Sequence, residues 1–174
     1  TPYVSARSLL HAEEGEVVGV EELLNALRVF SQNLLGDSQQ LWRRWMFRLL
    51  INNLDPSLHK IGFLCSGGDR WYLAPATGLR PGTDTSRPSN APWIKELGPG
   101  CCVDTLLKMA GMFSYTYAEA LDILAHIVKV LDGWKKVAIQ FTVQMHPKEI
   151  LLLEEAMNSS DLQQARSMVD KPRV

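Results

Sequence analysis

Glu21-Glu22-Leu23-Leu24-Asn25-Ala26-Leu27-Arg28-Val29-Phe30, Leu41-Trp42-Arg43-Arg44-Trp45 and Leu54-Asp55-Pro56-Ser57-Leu58-His59-Lys60-Ile61-Gly62-Phe63-Leu64 are three helix signals in succession. Val20, Leu23, Leu24, Leu27, Phe30 and Leu34 recur at three- and four-residue steps and form one apolar stripe. Gly36 is placed to stop that helix and Asp37 to cap the next, with Gln40 three residues on. In the second helix Leu41, Trp42, Trp45, Met46, Leu49 and Leu50 make the buried face. Asp55-Pro56 restarts a helix, aspartate at the cap and proline in the first turn. Ser5 to Ala12 reads as a short leading helix. None of these stretches contains a catalytic motif, and arginines gathered on one side of packed helices point to a protein that works by its surfaces.

Outward from this stretch the regularity breaks. Residues 66–99 carry five of the nine prolines and Gly67, Gly68, Gly78, Gly82 and Gly98, the composition of a linker or functional loop. Trp71, Tyr72 and Trp93 need somewhere to pack, and Ser66-Gly67-Gly68-Asp69 suits a hairpin turn. Helices resume with Val103, Leu106, Leu107, Ala110 and Phe113, ending near Gly111. Thr116-Tyr117-Ala118-Glu119 is a capping box opening a helix that buries Tyr117, Ala120, Leu121, Leu124, Ile127, Val128 and Leu131 and ends at Asp132-Gly133. A final pair spans Pro147–Met157 and Ser160–Val169, with Ser160 and Gln163 as a cap. Val137, Ile139, Phe141 and Val143 alternate with polar or small residues, the period of a half-buried strand. Such a strand needs a partner, and the hairpin near residue 70 is the one on offer; the neighbouring helices favour helix instead. The fold class is thus mainly α: a single domain, 1–174, of two helical clusters (1–65 and 100–174) joined by a Gly/Pro-rich linker (66–99). Minor β at 62–74 and 137–144 is the alternative at those positions.

Composition bounds the function. The 174 residues suit one domain, with 46% hydrophobic and 21% charged residues, ordinary globular values. Eighteen basic and 19 acidic residues give a net charge of −1, which excludes a globally basic protein but not a basic patch. No apolar run reaches the roughly 20 residues of a membrane span, and Thr1-Pro2-Tyr3-Val4 does not read as a secretory signal. Cys65, Cys101 and Cys102 form no disulfide framework, and His11, His59, His126 and His146 lack metal-ligand spacing. No cofactor is expected. Asp122, His126 and Lys129 share a helical face, where an exposed ladder explains them better than acid–base chemistry. Cys101 or Cys102 with His126 lacks the flanking signature of a nucleophile pair, and Gly67-Gly68 is too short for a phosphate loop.

Leu27-Arg28-Val29-Phe30, the aromatic second helix and the Leu54–Phe63 element resemble the amino-terminal half of orthomyxovirus matrix proteins, thogotovirus-like rather than influenza-like. In that family a leucine and a Val-Phe pair precede a tryptophan-bearing helix, and a Leu-Ser-Pro-Leu-Thr-Lys-Gly-Ile-Leu-Gly-Phe element follows. The match covers residues 21–64, with shifts of a couple of positions. The resemblance implies a non-enzymatic structural protein of the virion that self-associates beneath the envelope, touches the acidic membrane surface and holds viral ribonucleoprotein or RNA. It implies passage through host cytoplasm and nucleus to the inner leaflet of the plasma membrane. The compact Arg-Lys-Leu-Lys-Arg run of the influenza proteins has no counterpart, which removes that route to RNA binding and nuclear import. Another helical assembly protein or a cellular adaptor is the alternative.

Arg43, Arg44 and Arg48 are the candidate lipid or RNA contacts on the second helix, where like charges four apart repel unless an anion is near. Lys135 and Lys136, after the turn at Gly133, are a second pair. His59 beside Lys60 is the candidate pH sensor, because its proton would add to existing positive charge.

Overall fold

The aromatic second helix forms as α3, Leu34–Leu50, and helices from both halves of the chain pack against it. The computed structural model describes residues 1–13, 16–53, 58–68, 70–82, 94–98 and 100–170. The helix start expected at Asp55-Pro56 and residues 83–93 of the expected linker lie outside them. Leu41, Trp42, Trp45, Met46, Leu49 and Leu50 are all buried, as their spacing predicts. Trp42 Nε1 donates to the Leu106 carbonyl at 2.9 Å, tying α3 to α4 (Val103–Met109). The two tryptophans meet aromatic partners from the second half of the chain, Trp42 against Tyr115 at 5.3 Å and Trp45 edge-on to Phe113 at 5.4 Å.

The boundary before α3 differs from the sequence reading. Helix α2, Val20–Phe30, ends with Ser31 as its C-cap rather than at Gly36. Asn33 is the N-cap of α3, its side chain accepting from Gly36 N–H, so Leu34 opens α3 and is exposed instead of extending the α2 stripe. Gly36 serves the cap rather than a stop: a Cβ there would crowd the Asn33 side chain. Asp37, freed from capping, turns inward. Its Oδ2 accepts from Ser31 Oγ at 2.7 Å and from the buried Leu73 N–H at 2.9 Å.

That second bond fastens α3 to a small sheet. Strands β1 (Tyr3–Ser5), β2 (Gly62–Cys65) and β3 (Trp71–Leu73) pair antiparallel in the order β1-β2-β3, with Val4 opposite Phe63 and Phe63 opposite Leu73. The hairpin is the one the glycines announce: Gly67 and Gly68 hold φ of +101° and +58°, values an L side chain rarely adopts. A four-residue α1 (Ala6–Leu9), capped by Ser5, is what remains of the longer leading helix.

The alternation at 137–144 does not become a strand. Residues Trp134–Ala138 form α6, and the turns after it pair their backbone locally, Gln144 N–H to Gln140 carbonyl and Met145 N–H to Ala138 carbonyl. With those groups satisfied, no ladder forms, and Val137, Ile139, Phe141 and Val143 all face out.

The remaining helices close the core. α5 (Tyr117–Asp132) carries the complete Thr116–Glu119 capping box and buries Ala120, Leu124, Ile127, Val128 and Leu131; Tyr117, expected inside, is exposed. Hydrogen bonds from the Thr116 backbone and hydroxyl hold the Glu119 carboxyl below its ordinary value. A depressed carboxylate stabilises at pH above its unfolded value, and this support is lost as pH falls through the folded one. After α7 (Pro147–Ala156), α8 (Ser160–Val169) is capped by Ser159, one residue earlier than expected. The Ser159 hydroxyl also donates to the Leu50 carbonyl at the end of α3. α8 packs against α3, α4 and α5, and a single hydrophobic cluster runs from Ala6 to Ala165.

Because Asp37 is buried and satisfies a buried N–H, Asp37→Ala is expected to destabilise the protein by about 1–3 kcal/mol. Urea unfolding measures this. Asp37→Asn, which keeps an acceptor, should recover part of the loss, and equal stability of all three proteins would refute the role.

Candidate functional site

Arg43, Arg44 and Arg48 begin on one helix but end in three environments. Arg43 is exposed, Arg44 is half-buried and Arg48 is only 8% exposed. The covering element is the chain from Ala74 to Gly82, which the end of α3 straps down. Asn53 Nδ2 donates to the Gly78 and Arg80 carbonyls at 2.9 and 2.7 Å, and Asn52 Nδ2 donates to the Gly82 carbonyl at 3.0 Å. Asn52 itself sits at φ +54°, the left-handed geometry that suits asparagine after a helix. Beneath this strap Arg44, Arg48 and Lys60 surround a gap of about 10 Å³ with Ala76, Thr77 and Leu79. The trio expected to present one basic face is therefore divided, with Arg48 inside the protein.

Burial lowers the Arg44 guanidinium from its ordinary value; the charge of Asp37 opposes this and that of Arg48 adds to it. Among the described residues, Arg44 Nε is buried without a hydrogen-bond partner. On the outer side of Arg44 a groove of about 530 Å³ opens between α3 and α5. Its α3 wall is Gln40, Arg43, Arg44 and Phe47, spaced as one helical face. Its α5 wall is Asp122, Ile123, His126 and Ile127, and Ala76 and Leu79 of the strap form the rim. Asp122 and His126 thus face arginines across an apolar floor. Lys129, grouped with them by spacing, is not part of the lining. Sequence reading missed Phe47, Ile123 and Leu79 here. The available signal was that Phe47 falls on the arginine stripe of α3, away from the tryptophan stripe.

Lys135 and Lys136 lie on α6, far along the chain from the arginines, and the structure does not join the two groups into one site. Lys135 pairs with Glu154 of α7 and lies over the Trp134 ring at 5.9 Å, whereas Lys136 is exposed without either contact. The same part of the sequence carries several exposed apolar side chains. Ile139 and Phe141 are 68% and 88% exposed, and Leu151 and Leu152 of α7 are similarly bare. Ala156 is the one buried residue in α7. Between Asp132 and Glu149 the chain carries Lys135, Lys136, His146 and Lys148 and no acid.

His59 stands on a 3₁₀ turn, Leu58–Lys60, beside α1. Its Nε2 lies 2.9 Å from Arg7 Nη1, a geometry in which the guanidinium donates and the neutral ring accepts. The relevant cation is thus Arg7, fifty-two residues away, as well as the adjacent Lys60.

Among the described residues no three His, Cys, Asp or Glu side chains gather as metal ligands, all three cysteines are free, and no helix is long and apolar enough to cross a membrane. Comparison with known proteins finds no matching family model and no matching curated relative.

The Arg7–His59 bond joins α1 to the turn that carries His59. His59→Leu removes the ring nitrogen and should raise hydrogen exchange at the Ala6–Leu10 amides, whereas His59→Gln retains an acceptor and should exchange near the wild-type rate. Equal exchange in all three proteins would exclude the bond as a support of α1.

Proposed function

We propose that this chain is a matrix-type assembly protein, non-enzymatic and self-associating, that lies against an acidic membrane surface and bridges it to viral ribonucleoprotein. The observation that carries the reading is the exposed apolar edge at Val137–Val143, set among lysines with no intervening acid. A monomeric protein gains nothing by holding Phe141 in water, since such a side chain loses roughly 1.5–3 kcal/mol by not being buried. Apolar tips beside lysines are the composition that inserts at a headgroup boundary, where each lysine adds about 1 kcal/mol against anionic lipid. The resemblance of residues 21–64 to orthomyxovirus matrix proteins agrees with the same assignment. Arg43, the exposed arginine of its group, and Lys136, which is exposed and outside the Lys135–Glu154 pair, are the contacts proposed for ribonucleoprotein.

Co-sedimentation with vesicles of phosphatidylcholine, with and without phosphatidylserine, tests the membrane assignment. Binding is expected to require the anionic lipid and to fall with salt. The double variant Ile139→Ser, Phe141→Ser should lower affinity about tenfold or more with unchanged thermal stability, because neither residue is buried. Retained vesicle binding together with loss of sedimenting oligomers would instead assign the edge to contact between protomers and overturn the membrane role.

A further inference from the structure

We propose that the groove between α3 and α5 is a binding site for a single-chain amphiphile with a monoanionic carboxylate head, a free fatty acid in chemical class. The site is independent of the edge around Phe141. Its volume, about 530 Å³, falls within the range of small-molecule sites, roughly 300–1,000 Å³. Phe47, Ile123 and Ile127 supply an apolar wall for a chain, and Leu79 a rim. The polar groups are concentrated on the α3 side, where Arg43 and Arg44 present guanidiniums, the donors best matched to a carboxylate.

Charge selects among anions. The lining holds two arginines and one carboxylate, Asp122, an excess of one positive charge among these three that a carboxylate neutralises. A dianionic phosphate would bring a second negative charge toward Asp122. The strap from Ala74 to Gly82 is held by Asn52 and Asn53 whether or not the groove is filled, so the rim is in place before a ligand arrives.

Titration calorimetry with sodium dodecanoate, kept below its micelle-forming concentration, is the test, with dodecanol and dodecyl phosphate as comparators. Dodecanoate is expected to bind saturably at one site, and dodecanol about tenfold more weakly for want of a charge-assisted bond. Arg43→Ser should weaken dodecanoate about tenfold. Ile123→Trp, which fills the groove, and Leu79→Asp, which sets a carboxylate on its rim, should abolish binding while leaving thermal stability and vesicle co-sedimentation at the wild-type level. Absence of saturable binding, equal affinity for dodecanol, or unaltered affinity in both Ile123→Trp and Leu79→Asp would overturn the site. Tighter binding of dodecyl phosphate would overturn the carboxylate assignment. Loss of self-association in Ile123→Trp with dodecanoate affinity intact would give the groove to a second copy of the chain. None of these results depends on whether the Phe141 edge binds membrane.

Discussion

The bond from Trp42 Nε1 to the Leu106 carbonyl sets the constraint under which the rest of this structure is built. A fully buried indole must find an acceptor, and the one it finds belongs to a helix sixty-four residues later in the chain. Once α3 and α4 are joined there, Tyr115 and Phe113 are delivered to Trp42 and Trp45, and the helices that follow have a fixed surface on which to pack. α8 then closes the third side, with Ser159 bonding the last carbonyl of α3. The core is consequently made from both halves of the sequence, and removing the Trp42 side chain would strike all of it at once, at a cost of the order of 3–5 kcal/mol for a buried large-to-small change.

The same enclosure explains why the arginines of α3 do not behave as a surface cluster. A helix packed on so many sides has little perimeter left, and residues four apart, Arg44 and Arg48, must share what remains. Asp37 opposes the inner part of that charge and the Ala74–Gly82 strap lies beside it, leaving Arg43 and the outer side of Arg44 to solvent. Part of the basic charge therefore organises the fold, and part is left for a ligand. A count of arginines cannot distinguish the two roles.

Helical period read the interior well because burial is periodic: every residue placed on the Leu41–Leu50 face is buried, and the Thr116 capping box forms as its hydrogen-bonding chemistry requires. Where local chemistry had two outlets, the sequence was silent on which one tertiary contacts would choose. Asp37 suits an N-cap, yet the helix begins one turn earlier, with Asn33 accepting from the Gly36 N–H, and leaves Asp37 to serve β3. The 137–144 alternation satisfies a strand's pattern, but pattern alone cannot supply the neighbour whose backbone a strand needs. The hairpin that was to be that neighbour pairs with β1 instead. The groove was least legible, because its walls come from segments about eighty residues apart, each of which alone reads as an ordinary amphipathic face.

The apolar edge and the groove differ in what holds them in place, and that difference bears on function. The groove stands on α3 and α5, both anchored in the core, with a rim bonded at three points. The edge stands on a short helix and a turn-rich connection in which Ala138 is buried and Trp134 packs half-buried against the core, followed by a helix that buries Ala156 alone. Elements with so few buried contacts open at low free energy, which allows side chains such as Phe141 and Leu152 to reorient against a partner without disturbing the interior. A rigid concave site selects by shape and charge; a loosely held apolar edge adapts to a broad surface. Both devices are present in this fold, and they are placed so that one can be occupied without displacing the core contacts that support the other.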